Sequence, residues 1–153
     1  MTIDLPCLEC PNDQAEFVTG AVIYPHRPDL ADKKAWRCSA CGAYVGCHPG
    51  TVEPLGRPAG PKTREARQYV HGLLDPIWRE AWRDYPAAAK RPHVTSLARK
   101  RCYAWLADRM GLSVDECHTG LFTIEQCREA YRLLKGVTYP EIRDWAKARR
   151  EKA

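Results

Sequence analysis

Two pairs of closely spaced cysteines are the residues of this sequence whose chemistry is easiest to specify. Cys7 with Cys10, and Cys38 with Cys41, each have the C-x-x-C form, and 27 residues separate the two pairs. Two residues between cysteines let a tight turn direct both sulfurs at one ion, and two such turns complete a tetrahedral four-thiolate zinc site. A redox C-x-x-C would need a βαβ context that this region lacks, and an iron–sulfur cluster is the other alternative. The spacing predicts one structural zinc ion, with no open coordination position for catalysis.

Two cysteine–histidine dipeptides supply a second set of candidate metal ligands. Both have the form C-H-x-G, and between them lies a histidine with an aspartate one helical turn later. If the two loops meet, a second metal has nitrogen and sulfur ligands available, with the aspartate orienting the histidine. This possible second cluster consists of Cys47, His48, His71, Asp75, Cys117 and His118.

A plainer interpretation of the second cluster is the one we adopt. Small buried cysteines behave as apolar residues, the loop histidines bond backbone groups, and Asp75 caps a helix. An open three-ligand site beside a carboxylate would permit hydrolytic chemistry, but the sequence has none of the usual hydrolase or deaminase patterns. No catalytic residue is therefore assigned.

The first third of the chain has the pattern of a small sheet. Short apolar runs alternate with turn residues, and strands are predicted over residues 16–24, 35–38 and 43–47. So short a segment cannot build a full hydrophobic core, so the zinc contributes folding energy directly. Residues 48–61 hold four prolines and three glycines, which excludes a helix and indicates a linker or an ordered loop.

The rest of the chain has helical periodicity. Pro76 interrupts the first helical stretch, so we predict one helix ending near Leu74 and another opening at Pro76 with Asp75 as its cap. A single kinked helix is the alternative. Further helices are predicted over 96–110 and, from capping-box patterns, from 124 and from 139 onward.

The predicted fold class is α+β. A four-cysteine zinc ribbon of three short antiparallel strands precedes a small bundle of four to five helices. The predicted domains are a ribbon over residues 1–48, a Pro/Gly-rich loop or linker over 49–61, and a helical domain over 62–153.

Charge divides unevenly along the chain. The net charge is +5, but residues 1–60 carry five basic and seven acidic side chains, against 19 and 12 in residues 61–153. Four thiolates on Zn²⁺ add a formal charge of about −2 to the ribbon, which makes it a poor electrostatic match for phosphate. A basic partner surface is therefore expected on the helices, through Lys90, Arg91, Arg99, Lys100, Arg101, Arg143, Lys147 and Arg150.

Composition excludes several classes of protein. Hydrophobic residues at 44% and charged residues at 28% exclude a fully disordered chain. No apolar run approaches the roughly 20 residues that a membrane span needs. The first ten residues carry Asp4 and Glu9 but no basic side chain, unlike a secretory signal. The expected location is the cytoplasm, where thiols stay reduced.

Several longer motifs resemble a known family. These are the run CSACGAYVGCHPGT from Cys38, the pattern R-x-x-R-x-x-x-H-x-x-L-D-P-I-W from Arg64, Y-x-W-L from Tyr103, and CHTGLF from Cys117. Together they resemble a zinc-finger-containing domain family met in phages and prophages, over about residues 5–135. The resemblance implies zinc at the four paired cysteines and a mobile-element origin, and it implies no reaction.

Three functions follow as hypotheses. The leading one is a non-catalytic zinc-ribbon protein of phage or prophage origin, acting in the host cytoplasm, that binds nucleic acid or a nucleic-acid-handling complex through its basic helices. The alternative is a host-directed inhibitor that binds a protein, such as a polymerase or a defence complex. The third is a metal-dependent nuclease or hydrolase that uses His48, His71 and His118 with Asp75.

Overall fold

The computed structural model describes residues 1–84 and 90–152. Four antiparallel strands and five helices give an α+β fold, as predicted. The chain divides into two compact units, Met1–Glu65 and Ala66–Ala153. Each unit is described by itself below.

A four-stranded antiparallel sheet organises the first unit. Its strands are β1 (Thr2–Asp4), β2 (Gln14–Thr19), β3 (Lys34–Cys38) and β4 (Tyr44–Gly46), arranged in chain order. Three of them correspond to predicted strands, and β1 is an additional edge strand.

Trp36 on β3 is the centre of the small core of the sheet. It lies opposite Phe17 on β2 and Val45 on β4, and only 2% of its surface is exposed. Its ring meets that of Phe17 edge to face at 5.5 Å, and its indole N–H donates to the Val52 carbonyl at 2.6 Å. A large aromatic side chain thus supplies much of the apolar burial in a unit that has few other large, fully buried side chains.

The predicted strand over residues 16–24 is wrong in its second half. After Thr19 the chain enters a one-turn helix, α1 (Gly20–Ile23). The Gly20 N–H donates to the Lys33 carbonyl at 2.7 Å, and a Cβ at this position would lie 1.7 Å from the Leu30 carbonyl oxygen. Glycine therefore allows two backbone segments to approach closely, which the apolar pattern of the sequence does not reveal.

Residues 49–61 form an ordered loop in the first unit. Pro54 bridges to Cys47 and Ala59 bridges to Tyr44, each in antiparallel fashion. The Leu8 N–H donates to the Pro58 carbonyl at 3.0 Å. These backbone contacts hold the Pro/Gly-rich segment against the sheet and against the first cysteine pair.

The first long helix continues through its proline. α2 runs from Pro61 to Arg79 with Pro76 inside it, so the predicted division at Asp75 is wrong and the single-helix alternative is right. Proline removes one helical hydrogen bond, and side-chain packing compensates, because Val70 and Leu74 of α2 are fully buried. Asp75 is an internal residue of this helix and does not cap one.

α3 begins earlier than predicted. It runs from Arg91 to Met110, five residues longer at its start than the predicted 96–110. Pro92 lies in its first turn, where a missing N–H has no helical partner to lose. Gly111 ends the helix in the left-handed conformation, with a φ of 68°. The sequence predicts a loop over residues 84–93 before this helix; residues 85–89 lie outside the described residues, and residues 91–93 belong to α3.

Two shorter helices complete the second unit. α4 (Ile124–Leu134) opens with the predicted capping box, in which Thr123 accepts from the Gln126 N–H and the Gln126 side chain accepts from the Thr123 N–H. α5 runs from Tyr139 to Lys152. The core of this unit contains Leu74, Leu106, Phe122, Leu134 and Ile142, all essentially inaccessible. Among the described helices, none combines the length and apolar character needed to cross a bilayer.

Candidate metal centre

The four paired cysteines come together at one end of the sheet. Cys7 and Cys10 lie in the turn between β1 and β2, Cys38 ends β3, and Cys41 lies in the turn before β4. The Sγ atoms of Cys7 and Cys41 are 3.6 Å apart, as are those of Cys10 and Cys38. All four sulfurs lie within 4.8 Å of one another.

These distances fit a four-thiolate zinc site. Zinc–sulfur bonds of about 2.3 Å in a tetrahedron place the sulfurs about 3.8 Å apart, close to the separations found here. A disulfide would need about 2.05 Å, and none of these cysteines is disulfide-bonded. The four side chains therefore fit one structural zinc ion, as predicted.

Hydrogen bonds to sulfur support the thiolates. The backbone N–H of Glu9 donates to Cys7 Sγ at 3.3 Å, and the side-chain amide of Asn12 donates to Cys38 Sγ at 3.2 Å. Asn12 also donates to the Gln14 carbonyl at 2.8 Å, which fixes its orientation. Such outer contacts orient metal ligands and tune their basicity.

Cys38 is the thiol of the four that loses its proton most readily. Burial raises its pKa, but hydrogen bonds from the Asn12 amide and from the backbone N–H groups of Cys41 and Ala40 outweigh burial and bring that pKa to about 6. Asn12 was not predicted to take part in the site. Its position two residues after Cys10 is the signal that could have identified it.

Glu9 connects the first cysteine pair to the start of α2 within the first unit. Its Oε1 accepts from the Gly60 N–H at 2.9 Å and from the Thr63 hydroxyl at 2.7 Å. Arg57 donates through Nε to the Pro6 carbonyl at 2.9 Å. Hydrogen bonds thus connect the loop after the sheet to the metal-binding turn at several points. Because four protein ligands would leave no open coordination position, the role of a bound zinc ion is structural.

Comparison with known protein families agrees with this geometry. Residues 5–137 match a family described as a zinc-finger-containing domain. The chain belongs to this family. The part of the resemblance that concerns the zinc finger is thereby confirmed. No curated protein and no solved structure matches the chain.

The members of the possible second cluster are divided between the two units. Cys47 and His48 belong to the first unit, and His71, Asp75, Cys117 and His118 to the second. Among the described residues, the four paired cysteines are the one group of three or more such ligand atoms that gather closely enough for a metal. The second metal site therefore stays a prediction.

His71 has two polar neighbours inside the second unit. Its Nε2 lies 2.7 Å from the Thr119 hydroxyl, and its Nδ1 lies 3.6 Å from the Asp75 carboxylate. Asp75 also accepts from the Trp78 indole N–H at 3.2 Å and pairs with Arg79 at 3.7 Å. The Asp75 carboxylate thus contacts three side chains of its own helix, α2. His71 connects that helix to the turn at Thr119.

Cys117 and His118 have different surroundings, although they are adjacent. Cys117 is fully buried, and burial raises the pKa of its thiol to about 11. His118 is exposed, and its ring centroid lies 6.3 Å from that of Tyr103. The cysteine thus fits the apolar interpretation.

The eight basic residues predicted to contact a partner differ in exposure. Lys90 and Arg91 are exposed at the start of α3, Arg99 and Lys100 are exposed near its middle, and Lys147 and Arg150 are exposed on α5. Arg101 is half-buried and donates to the Tyr139 hydroxyl at 3.0 Å. Arg143 is half-buried beside Asp144, at 3.3 Å. Six of the eight side chains are therefore exposed, and the other two bond within the unit.

Proposed function

We propose that this zinc-binding protein binds nucleic acid, or a complex that handles nucleic acid, through the basic residues of its second unit. The observation that carries the proposal is a set of four exposed cations at and within α3, Lys90, Arg91, Arg99 and Lys100, which we call the α3 basic residues. All four side chains are exposed, and no carboxylate in the described parts of the chain forms an ion pair with them. Exposed cations without an ion-pair partner can bind phosphates, which releases the counterions condensed on the nucleic acid.

The charge of the two units supports the same division of roles. The excess of basic residues lies after residue 60, and the four-thiolate centre makes the first unit still more negative when zinc is bound. We assign the ribbon a structural or docking role and the α3 basic residues the contact with phosphate. Origin in a phage or prophage, and action in the host cytoplasm, belong to the same proposal and rest on the resemblance of the C-H-P-G-T and C-H-T-G-L-F stretches.

Fluorescence anisotropy with labelled oligonucleotides tests the proposal. The zinc-loaded protein should bind less tightly as salt rises from about 50 mM to about 200 mM. Arg99→Gln combined with Lys100→Gln should weaken binding and lower the slope of log affinity against log salt by about 2. Arg101 is left intact because its bond to Tyr139 would confound the result with stability.

Two exposed basic residues of α4 provide the matched control. Arg128→Gln combined with Arg132→Gln removes the same charge from exposed positions outside the α3 basic residues. If this control weakens binding as much as the α3 double variant does, net charge and not the α3 basic residues in particular is responsible. If the wild-type protein binds no oligonucleotide, and nuclease-treated lysate still yields one dominant protein partner, the alternative of a protein-directed inhibitor replaces the proposal.

A further inference from the structure

A groove in the second unit combines arginines with half-buried aromatic rings. It lies between the end of α2, the 3₁₀ turn Ala81–Asp84 and the start of α3, and has a volume of about 610 Å³. We call it the arginine–tryptophan groove. Its lining includes Trp78, Arg79, Trp82, Arg91, Thr95 and Arg99, and no acidic residue is among the described residues that line it.

Each tryptophan of the groove has a guanidinium group over its ring. The Cζ of Arg91 lies 4.0 Å from the ring centroid of Trp82, and those of Arg79 and Arg99 lie 5.2 and 5.8 Å from that of Trp78. Both tryptophans are only half-buried. The indole N–H of Trp78 is bonded to Asp75, which holds that ring in place. A fixed, partly open ring next to a cation is a surface on which a planar, anionic ligand can stack.

We infer that the arginine–tryptophan groove binds single-stranded nucleic acid, with bases stacked on Trp78 and Trp82 and phosphates held by Arg79, Arg91 and Arg99. This inference rests on the proposed function and specifies the form of nucleic acid. Aromatic side chains stack on the faces of unpaired bases, whereas the faces of bases inside a duplex are covered by their neighbours. Arginine suits the same ligand because its planar guanidinium both stacks and pairs with phosphate.

The size of the groove and its charge fit this occupant. A volume of about 610 Å³ lies within the range of about 300–1,000 Å³ typical of small-ligand sites, which suits nucleotide units and not a whole duplex. Arg79 pairs with Asp75 at 3.7 Å, whereas Arg91 and Arg99 have no ion pair with a described carboxylate and give positive charge on the side where a phosphate backbone would pass. Arg91 and Arg99 belong both to the groove and to the α3 basic residues.

Anisotropy measurements with a labelled thymidine oligomer of about 20 nucleotides, and with a duplex of the same length, test the inference. The zinc-loaded full chain should bind the single strand at least about tenfold more tightly. Trp78→Leu and Trp82→Leu should each weaken single-strand binding by about five- to a hundredfold, the usual effect of removing one stacked base, and should change duplex binding little.

A second Trp–Arg pair in the same unit provides a matched control. Arg149 lies over the ring of Trp145 at 4.8 Å, and neither residue lines the arginine–tryptophan groove. Trp145→Leu and Arg149→Gln should leave single-strand binding within about twofold. Trp82→Phe, which keeps an aromatic face, should retain most of the affinity, and Arg91→Gln reduces it without removing a ring, so the test does not depend on one variant folding.

The outcomes separate this inference from the proposed function. Absence of binding to either oligonucleotide at low salt would overturn both. Equal affinity for single strand and duplex, with Trp78→Leu and Trp82→Leu no weaker than Trp145→Leu, would overturn the inference and leave the proposed function standing. Binding of a poly-glutamate peptide as tightly as the thymidine oligomer would also overturn the inference, because acidity alone would then suffice.

Discussion

The side-chain amide of Asn12 donates to the sulfur of Cys38 at 3.2 Å, across 26 residues of sequence. The bond joins the turn of the first cysteine pair to the end of β3. A thiolate is the better acceptor for this amide, so the contact favours the form of Cys38 that binds metal.

Replacing Asn12 should lower the affinity for zinc. Asn12→Ala removes the donor to Cys38, and the loss of such an outer contact typically lowers metal affinity by about 10- to 100-fold. Competition with a chromogenic zinc chelator measures the change. Gln14→Ala is the control, because the side chain of Gln14 bonds Asp4 and Asp13 and not a sulfur. Equal zinc affinity in the two variants would contradict a role for Asn12.

Zinc content and zinc removal test the architecture. We expect one zinc per chain by mass spectrometry, held by Cys7, Cys10, Cys38 and Cys41. Chelation should abolish the near-ultraviolet circular dichroism of the first unit, where Trp36 is packed, because the small core of that unit depends on the metal. Helical far-ultraviolet signal should largely remain, since the second unit has a core of its own.

Two further results would change this interpretation. Two zinc ions per chain would establish a second site and direct attention to Cys47, His48, His71, Cys117 and His118. A complete loss of helical signal on chelation would show that the second unit does not hold its structure without zinc.

Thiol reactivity should separate the cysteines into three classes. Burial raises the pKa of Cys102 to about 12 and that of Cys117 to about 11. At about pH 8 these thiols stay protonated, and only the thiolate reacts with iodoacetamide. In the native, zinc-loaded protein the half-buried Cys47 should therefore be labelled first, the four zinc ligands only after chelation, and the buried cysteines of the second unit only after denaturation.

Peptide mapping by mass spectrometry identifies the labelled residues. Raising the pH toward about 11 should accelerate the labelling of Cys102 only modestly while the protein stays folded, because access as well as ionisation limits the reaction. Rapid labelling of Cys102 at about pH 8 without denaturant would contradict its burial.

The capping box of α4 should contribute measurably to stability. Thr123→Ala removes the side chain that accepts from the Gln126 N–H at 3.2 Å, and loss of an N-cap costs about 1 kcal/mol in free energy of unfolding. Urea denaturation followed by circular dichroism measures it. Gln126→Glu keeps a side-chain acceptor for the Thr123 N–H and should leave the stability nearly unchanged. A larger loss in Gln126→Glu than in Thr123→Ala would be inconsistent with the box.

Features determined by neighbouring residues in sequence were predictable. The C-x-x-C pairs and the capping box at Thr123 each depend on a few adjacent positions, and both have the predicted roles. The division at Pro76 was wrong because burial of Val70 and Leu74 outweighs one missing hydrogen bond. Asn12 and the arginine–tryptophan groove were missed because their geometry comes from segments brought together only by the fold.

The position of Gly20 restricts which amino-acid substitutions the first unit can accept during evolution. Because any side chain there would collide with the Leu30 carbonyl, relatives that share the first unit should carry glycine at this point even where surrounding residues have diverged. The position thus offers a marker for recognising remote members of the family, independent of whether they keep all four metal-binding cysteines.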